Sequence, residues 1–150
     1  QAMNIMRTHV DITEKIFGDV IEDTVKSLAL RHHEKLDGSG YPRGLAAADL
    51  STGERIVAIA DIISALSGTR SYKTAFSKDK ICTIITEMKD AGLIDAAIVE
   101  LMISDYDEIM EETRIQCQPI LDIYVLIQKD FDRISQAMTV DDIAGMKAVF

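Results

Sequence analysis

The 150-residue sequence has no tryptophan, only two prolines and only two cysteines. Cys82 and Cys117 stand far apart, and neither has a second cysteine at metal-ligand spacing. That excludes a disulfide-stapled scaffold and a cysteine-rich zinc site, and leaves two ordinary buried thiols as the expectation. Long apolar runs are missing too. None approaches the roughly 20 residues that span a bilayer, so no membrane span is expected. No N-terminal stretch follows the charged-then-apolar plan of a signal peptide. Together these absences lead us to expect a cytoplasmic protein. Positive charge is scarce, with 16 Lys and Arg against 25 Asp and Glu and a net charge of −9. A general DNA or RNA backbone binder needs a basic stripe, so that class is excluded. A small phosphorylated ligand held by a metal and a few local cations is not.

What is present is a chain rich enough in apolar residues, at 47%, to form one domain with a real core. Alternating strand patterns with hairpin turns are absent, and nearly every segment reads as helix. Val20 to Glu34 carries apolar residues at spacings near three and four, an amphipathic stripe that stops at Asp37-Gly38-Ser39-Gly40-Tyr41-Pro42. Glu54 to Leu66 is apolar on nearly all sides, and its length favours a buried helix that Gly68 closes. Ser77 is placed to cap a helix over Lys78–Asp90, with Gly92 as its stop, and Asp95 to cap Ala96 to about Ile103. Residues 105–137 read as one long helix or two, with Pro119 as a break or kink. Thr139 and Asp142 suggest a capped last helix ending near Phe150. The fold class is all-α.

The chemistry-bearing residues are unevenly spread. All three histidines, His9, His32 and His33, lie in the first 33 residues. On a helix, adjacent side chains point about 100° apart, so His32 and His33 would serve neighbouring ions, or one ion and a substrate. Equally, a histidine pair suits a helix C-terminus, where positive charge is favoured. Gly38 and Gly40 let a loop backbone approach a ligand, and Tyr41 can stack on a base. Asp61 is the one acid inside the apolar helix after Glu54. It must be paired, hydrogen-bonded or metal-bound if buried, or else lie on a thin polar face. Arg70, Tyr72 and Lys73 put two cations and an aromatic within four residues, which suits a phosphate and a base or a solvated basic turn. Residues 100–113 hold six acids and no base, so a phosphate site belongs earlier in the chain.

His32-His33-Glu34-x-x-Asp37-Gly38-x-Gly40-Tyr41-Pro42-x-Gly44-Leu45 resembles the signature of the HD-GYP family throughout. Met6–His9 resembles the block before that signature, and Arg55–Asp61 and Arg70–Lys73 resemble the two after it, so the likeness runs over residues 3–103. The resemblance implies an HD-domain-like helical bundle, here a C-terminal part of it over residues 1–104. Residues 105–150 would be an added helical extension packed on it. It also implies metal-dependent hydrolysis of cyclic di-GMP to linear pGpG or GMP, a bacterial signal-transduction activity. Two or three ions, most often iron or manganese, would offset charge on the phosphate oxygens.

Carried over by position, His9, His32, His33 and Asp61 would be metal ligands. Arg70 and Lys73 would contact phosphate. Tyr41 would seat the nucleotide on a loop shaped by Gly38, Gly40 and Pro42. Glu34 and Asp37 would brace the ligands. The family's His-Asp doublet, expected upstream of His9 with a lysine after it, does not occur in these 150 residues. The expectation is therefore either a piece of a longer phosphodiesterase, weak or inactive alone, or a truncated, non-catalytic module that binds nucleotide or protein with its metals partly or wholly absent. Ser64 stands where the family often has an acid, and Ser71 where it usually has proline. The acidic C-terminal helices could pair two copies or contact a signalling partner.

Overall fold

The computed structural model describes the backbone over residues 2–68 and 75–137, and the side chains over 8–68 and 75–135. The described residues form six α-helices: α1 (Ala2–Phe17), α2 (Asp23–Leu30), α3 (Thr52–Ser67), α4 (Lys78–Asp90), α5 (Ala96–Ser104) and α6 (Tyr106–Ala137). Among these residues β-structure is limited to one isolated bridge, Asp37 with Ala46. The chain divides into a unit over residues 1–104 and a second over 105–150.

In the first unit α1 packs on α2, α2 on α3, and α3 on α4 and α5, which also pack on each other. The core is built from pairs one helical turn apart: Ile59 and Ile63 on α3, Ile81 and Ile85 on α4, Val99 and Met102 on α5. That spacing sets each pair on one face. Val10 brings α1 into the same unit, and Leu30 brings α2. The α3 helix is less enclosed than its sequence suggests, because Ile56 and Ala60 face outward while Ala58, Ile59 and Ile63 are buried. Cys82 is half-buried and Cys117 exposed, so neither is a core thiol, contrary to expectation.

The capping residues set several boundaries. The Ser51 hydroxyl accepts from the Glu54 amide, and the Glu54 carboxylate accepts from the Ser51 amide at 2.6 Å, a reciprocal cap that starts α3. The Asp95 carboxylate accepts from the amides of Ala97 and Ile98 and starts α5. The α2 helix departs from expectation. It ends at Leu30 rather than running to Glu34. Arg31 leaves helical geometry at φ −114°, ψ 8°. The terminal carbonyl of Ala29 is satisfied instead by the His32 imidazole, whose Nδ1 lies 2.7 Å away.

The second unit, taken by itself, is described through α6. It is one 32-residue helix that passes through Pro119 without a break. The proline ring removes one donor, and the long helical flanks carry the helix across it. The expected helix around Thr139 and Asp142 lies outside the described residues.

Candidate metal centre and nucleotide cleft

The turn after α2 is what gathers the histidines. On a continuing helix His32 and His33 would splay. In the turn their ring centroids are 3.9 Å apart. His9, on α1, comes alongside from 23 positions earlier, with its Nε2 3.4 Å from the Nε2 of His32. One ligand atom from each of the three rings falls within a set spanning no more than 4.8 Å. His32 is further specified by its bond to Ala29. A carbonyl oxygen only accepts, so Nδ1 carries the proton, and Nε2 is the ring nitrogen left on the His9 side. Burial, and next the adjacent His32, hold the His33 pKa down to about 4 against the upward pull of Asp61. The His33 ring is therefore neutral at neutral pH and able to donate a lone pair.

Asp61 reaches the edge of this cluster from α3. Its Oδ2 is 3.7 Å from His33 Nδ1, too long for a hydrogen bond, and its side chain is half-exposed. It is not one of the three groups in the tight cluster. The donor set, three imidazoles and a neighbouring carboxylate, fits a transition metal better than calcium or magnesium.

The loop after the histidines is pinned by Glu34, which is 4% exposed. Its carboxylate accepts from the amide of Arg43 at 2.7 Å and from that of Leu45 at 3.0 Å. The Tyr41 amide donates to the carbonyl of His33 at 3.2 Å, which folds the loop directly onto the histidine turn. Gly40 makes that approach possible. A Cβ there would lie 2.5 Å from both Glu34 Cα and Lys35 N, a contact no side chain can relieve because both neighbours are backbone. Gly38 takes φ +80°, which L side chains rarely adopt. The Tyr41–Pro42 peptide bond is cis. Asp37 is occupied within the loop, where its carboxylate accepts from the hydroxyl and amide of Ser39. Those bonds, the side-chain one first, hold its carboxyl below the ordinary range.

The result is a cleft of about 190 Å³ beside the cluster, lined by His32, His33, Gly40 and Tyr41. The Tyr41 and His33 rings lie 4.6 Å apart at a shallow 33°. Pro42, also expected at the substrate, is exposed on the outer part of the loop. Arg70 and Lys73 lie outside the described residues. Four residues that sequence reasoning did not select also line the cleft: Lys35, Ser39, Ile62 and Ile94. Lys35 sits at a variable position inside the signature itself. Ile62 is legible only as the neighbour of Asp61, and Ile94 carries no local signal.

One ion pair ties the histidine turn to α3, and a second ties α3 to the start of α5. Arg31, next to His32, donates to Glu54 at 2.9 Å, and Arg55 donates to Asp95 at 2.9 Å. Glu54 is 3% exposed. Burial alone would raise its pKa, but bonds from Ser51, with Ser27 and Arg31 contributing, hold it below the ordinary value. Asp95 is lowered chiefly by its bond from Arg55.

The described residues thus form an all-helical scaffold that brings histidines from two segments together beside a cleft. The chain belongs to the HD-domain family, whose model matches residues 2–98. With the intact Gly-Tyr-Pro signature, it is of the HD-GYP type. HD domains are metal-dependent, and the His9–His32–His33 cluster can bind a metal.

The chain is 36% identical over 90 residues to the 3'3'-cGAMP-specific phosphodiesterase 1 of Vibrio cholerae, covering 60% of this chain and 20% of that protein. It is 43% identical over 79 residues to a cyclic di-GMP phosphodiesterase of the same organism, covering 53% and 16%. It is 40% identical over 80 residues to the cyclic di-GMP phosphodiesterase response regulator RpfG of Xanthomonas campestris, covering 51% and 21%. The chain thus spans about a fifth of the length of the curated relatives it matches. No described helix is long and apolar enough to cross a membrane.

Proposed function

We propose that this chain carries part of the active site of a phosphodiesterase that opens cyclic di-GMP to linear pGpG, with GMP as a further product. The observation that supports this most is the three-imidazole cluster directly beside the Gly40–Tyr41 cleft. His9, His32 and His33 would hold an ion, iron or manganese, with Asp61 completing its coordination by a small movement of its exposed carboxylate. That ion supplies Lewis acidity toward the phosphate oxygens. The protein's own groups do the rest. Tyr41 offers a flat face to a guanine, Gly40 keeps the loop low enough to admit the ring, and Glu34 holds that loop still. Lys35, together with Arg70 and Lys73, would meet the phosphates.

Four ligands fill one ion site rather than a two- or three-ion centre. The 150 residues alone should therefore turn over slowly or not at all, and act as a binding module unless further ligands are supplied. The relatives specific for 3'3'-cGAMP favour a second substrate reading, in which one guanine is replaced by adenine.

The test is a substrate panel on the 150-residue chain, and on any longer protein that contains it, with Mn(II) or Fe(II) supplied. Linear pGpG from cyclic di-GMP supports the first reading, and faster cleavage of 3'3'-cGAMP the second. A folded, metal-loaded longer protein that cuts neither, and whose role survives His32→Ala and Asp61→Ala, would establish the non-catalytic alternative.

A further inference from the structure

We propose that α6 is a self-association surface through which copies of this chain pair along a coiled-coil seam. Cys117, Ile120, Tyr124, Ile127, Phe131 and Ile134 follow one another at alternating steps of three and four residues. Met110 and Thr113 extend the same pattern towards the N-terminus. The period is 3.5 residues over more than three heptads, whereas a straight helix turns every 3.6. A strict 3.5 period keeps its apolar stripe in line only when the helix supercoils around another helix. Helices packed on a globular core have no need of it.

No described residue of its own unit covers the seam. Five of its residues, together with Leu121 and Ile123 on its flanks, are between 52% and 68% exposed. At about 100 Å² each, those seven side chains offer on the order of 700 Å², close to the ~800 Å² per partner of a standard interface.

Charge decides the occupant. The chain carries a net −9, so two copies repel unless they meet where the charge is absent. From Cys117 to Ile134 the seam positions carry no charged residue. Acids of α6 are instead engaged within the helix: Glu112 with Gln116, Asp122 with Gln118, Asp132 with Gln128. A neutral apolar stripe on an acidic chain suits an identical stripe. A basic partner would find no acidic seam to read. Val125 and Leu126 face away from the seam and make the middle of α6 apolar on a second side, which accommodates assemblies larger than a dimer.

The inference rests on α6 alone and holds whether or not the histidine cluster supports hydrolysis. Light scattering on the eluting 150-residue chain tests it. The expected result is a defined mass at or above twice the 16.6 kDa of one chain, falling to one chain on dilution. Ile120→Ala with Ile127→Ala keeps helix propensity and should weaken association at least tenfold. Ile120→Asp with Ile127→Asp should abolish it, while the thermal transition of the first unit stays in place. A monomer at high concentration overturns the proposal, whether α6 then folds onto the first unit or binds another protein. A polydisperse aggregate overturns it as well, and so does an oligomer unchanged by both double variants.

Discussion

Residues 1–104 and the α6 helix use similar apolar content to opposite ends. In the first unit Ile81, Ile85 and Val99 are almost fully buried, and even two glutamates, Glu34 and Glu54, are taken inside. In α6 ten large apolar side chains remain about half to two-thirds exposed. The first unit encloses a core of its own, although Ile16, Val20 and Leu101 stay exposed on it, and its buried carboxylates hold a loop and a helix start in place around the histidines. The second carries a periodic surface that none of its described residues covers. A site for small-molecule chemistry needs the first arrangement, because ligand atoms must be held by groups that cannot relax.

Substitutions can break or sharpen this contrast. The largest effect should come from Gly40→Ala. The new Cβ meets only backbone within 2.6 Å, so the loop must lift from the histidine turn. Nucleotide affinity, read by calorimetry, should fall a hundredfold or more while the helical circular dichroism is kept. Unchanged affinity would mean that the cleft does not depend on the loop lying close.

Next in size is a pair of core and surface truncations. Ile85→Ala should cost roughly 2–5 kcal/mol of unfolding free energy, as large-to-small changes in buried sites do. Leu126→Ala on α6 should cost the first unit nothing. Denaturant melts of both variants check this, and equal losses would erase the distinction between the two regions.

Glu34→Gln comes third. It leaves one of the two loop amides facing an NH₂ group or a rotated neutral oxygen. A loss of about 1.5–3 kcal/mol is expected, the size of one charge-assisted bond, with nucleotide affinity falling before global stability does.

The smallest effect is on pH dependence. Glu54 and Asp95 both have folded pKa values held below the ordinary carboxylate range. A depressed acid contributes its full stability above the unfolded value, near 4, and loses it as pH falls through the folded one. Thermal melts should therefore fall gently between about pH 6.5 and 4, where His33 is protonated only in the unfolded chain, and drop further below about pH 4 as these carboxylates lose their charge. Glu54→Gln should flatten that drop while lowering the plateau above it. A wild-type profile flat to acid would contradict the assignment.

Much of this was legible in the sequence where local chemistry decides. The α4 helix spans Lys78–Asp90 as its Ser77 cap and Gly92 stop suggest, and Asp95 caps α5 as expected. What local pattern could not give was the end of α2. The amphipathic stripe continues to Glu34, but the helix stops at Leu30, because the His32 side chain takes a terminal carbonyl and Glu34 is drawn inward by amides nine and eleven residues ahead. Those partners are tertiary, and no window of the sequence contains them. The consequence is functional, since the turn sets the two imidazoles together where a helix would have separated them. Asp61 was singled out as an acid in an apolar helix, and it does stand beside His33, though 3.7 Å from it. The proximity of His9 came from family likeness rather than from spacing. Lys35 and Ile94 were missed because their place at the cleft depends on how the loop folds back.

The central claim is that His9, His32 and His33 form one metal site, and a Mn(II) titration of the metal-stripped 150-residue chain tests it most directly. The account predicts saturable binding of one ion per chain. Each of His9→Ala, His32→Ala and His33→Ala should lower affinity by at least about tenfold. Asp61→Ala should lower it less. No saturable binding by the folded wild-type chain, or binding indifferent to all three histidine substitutions, would contradict it.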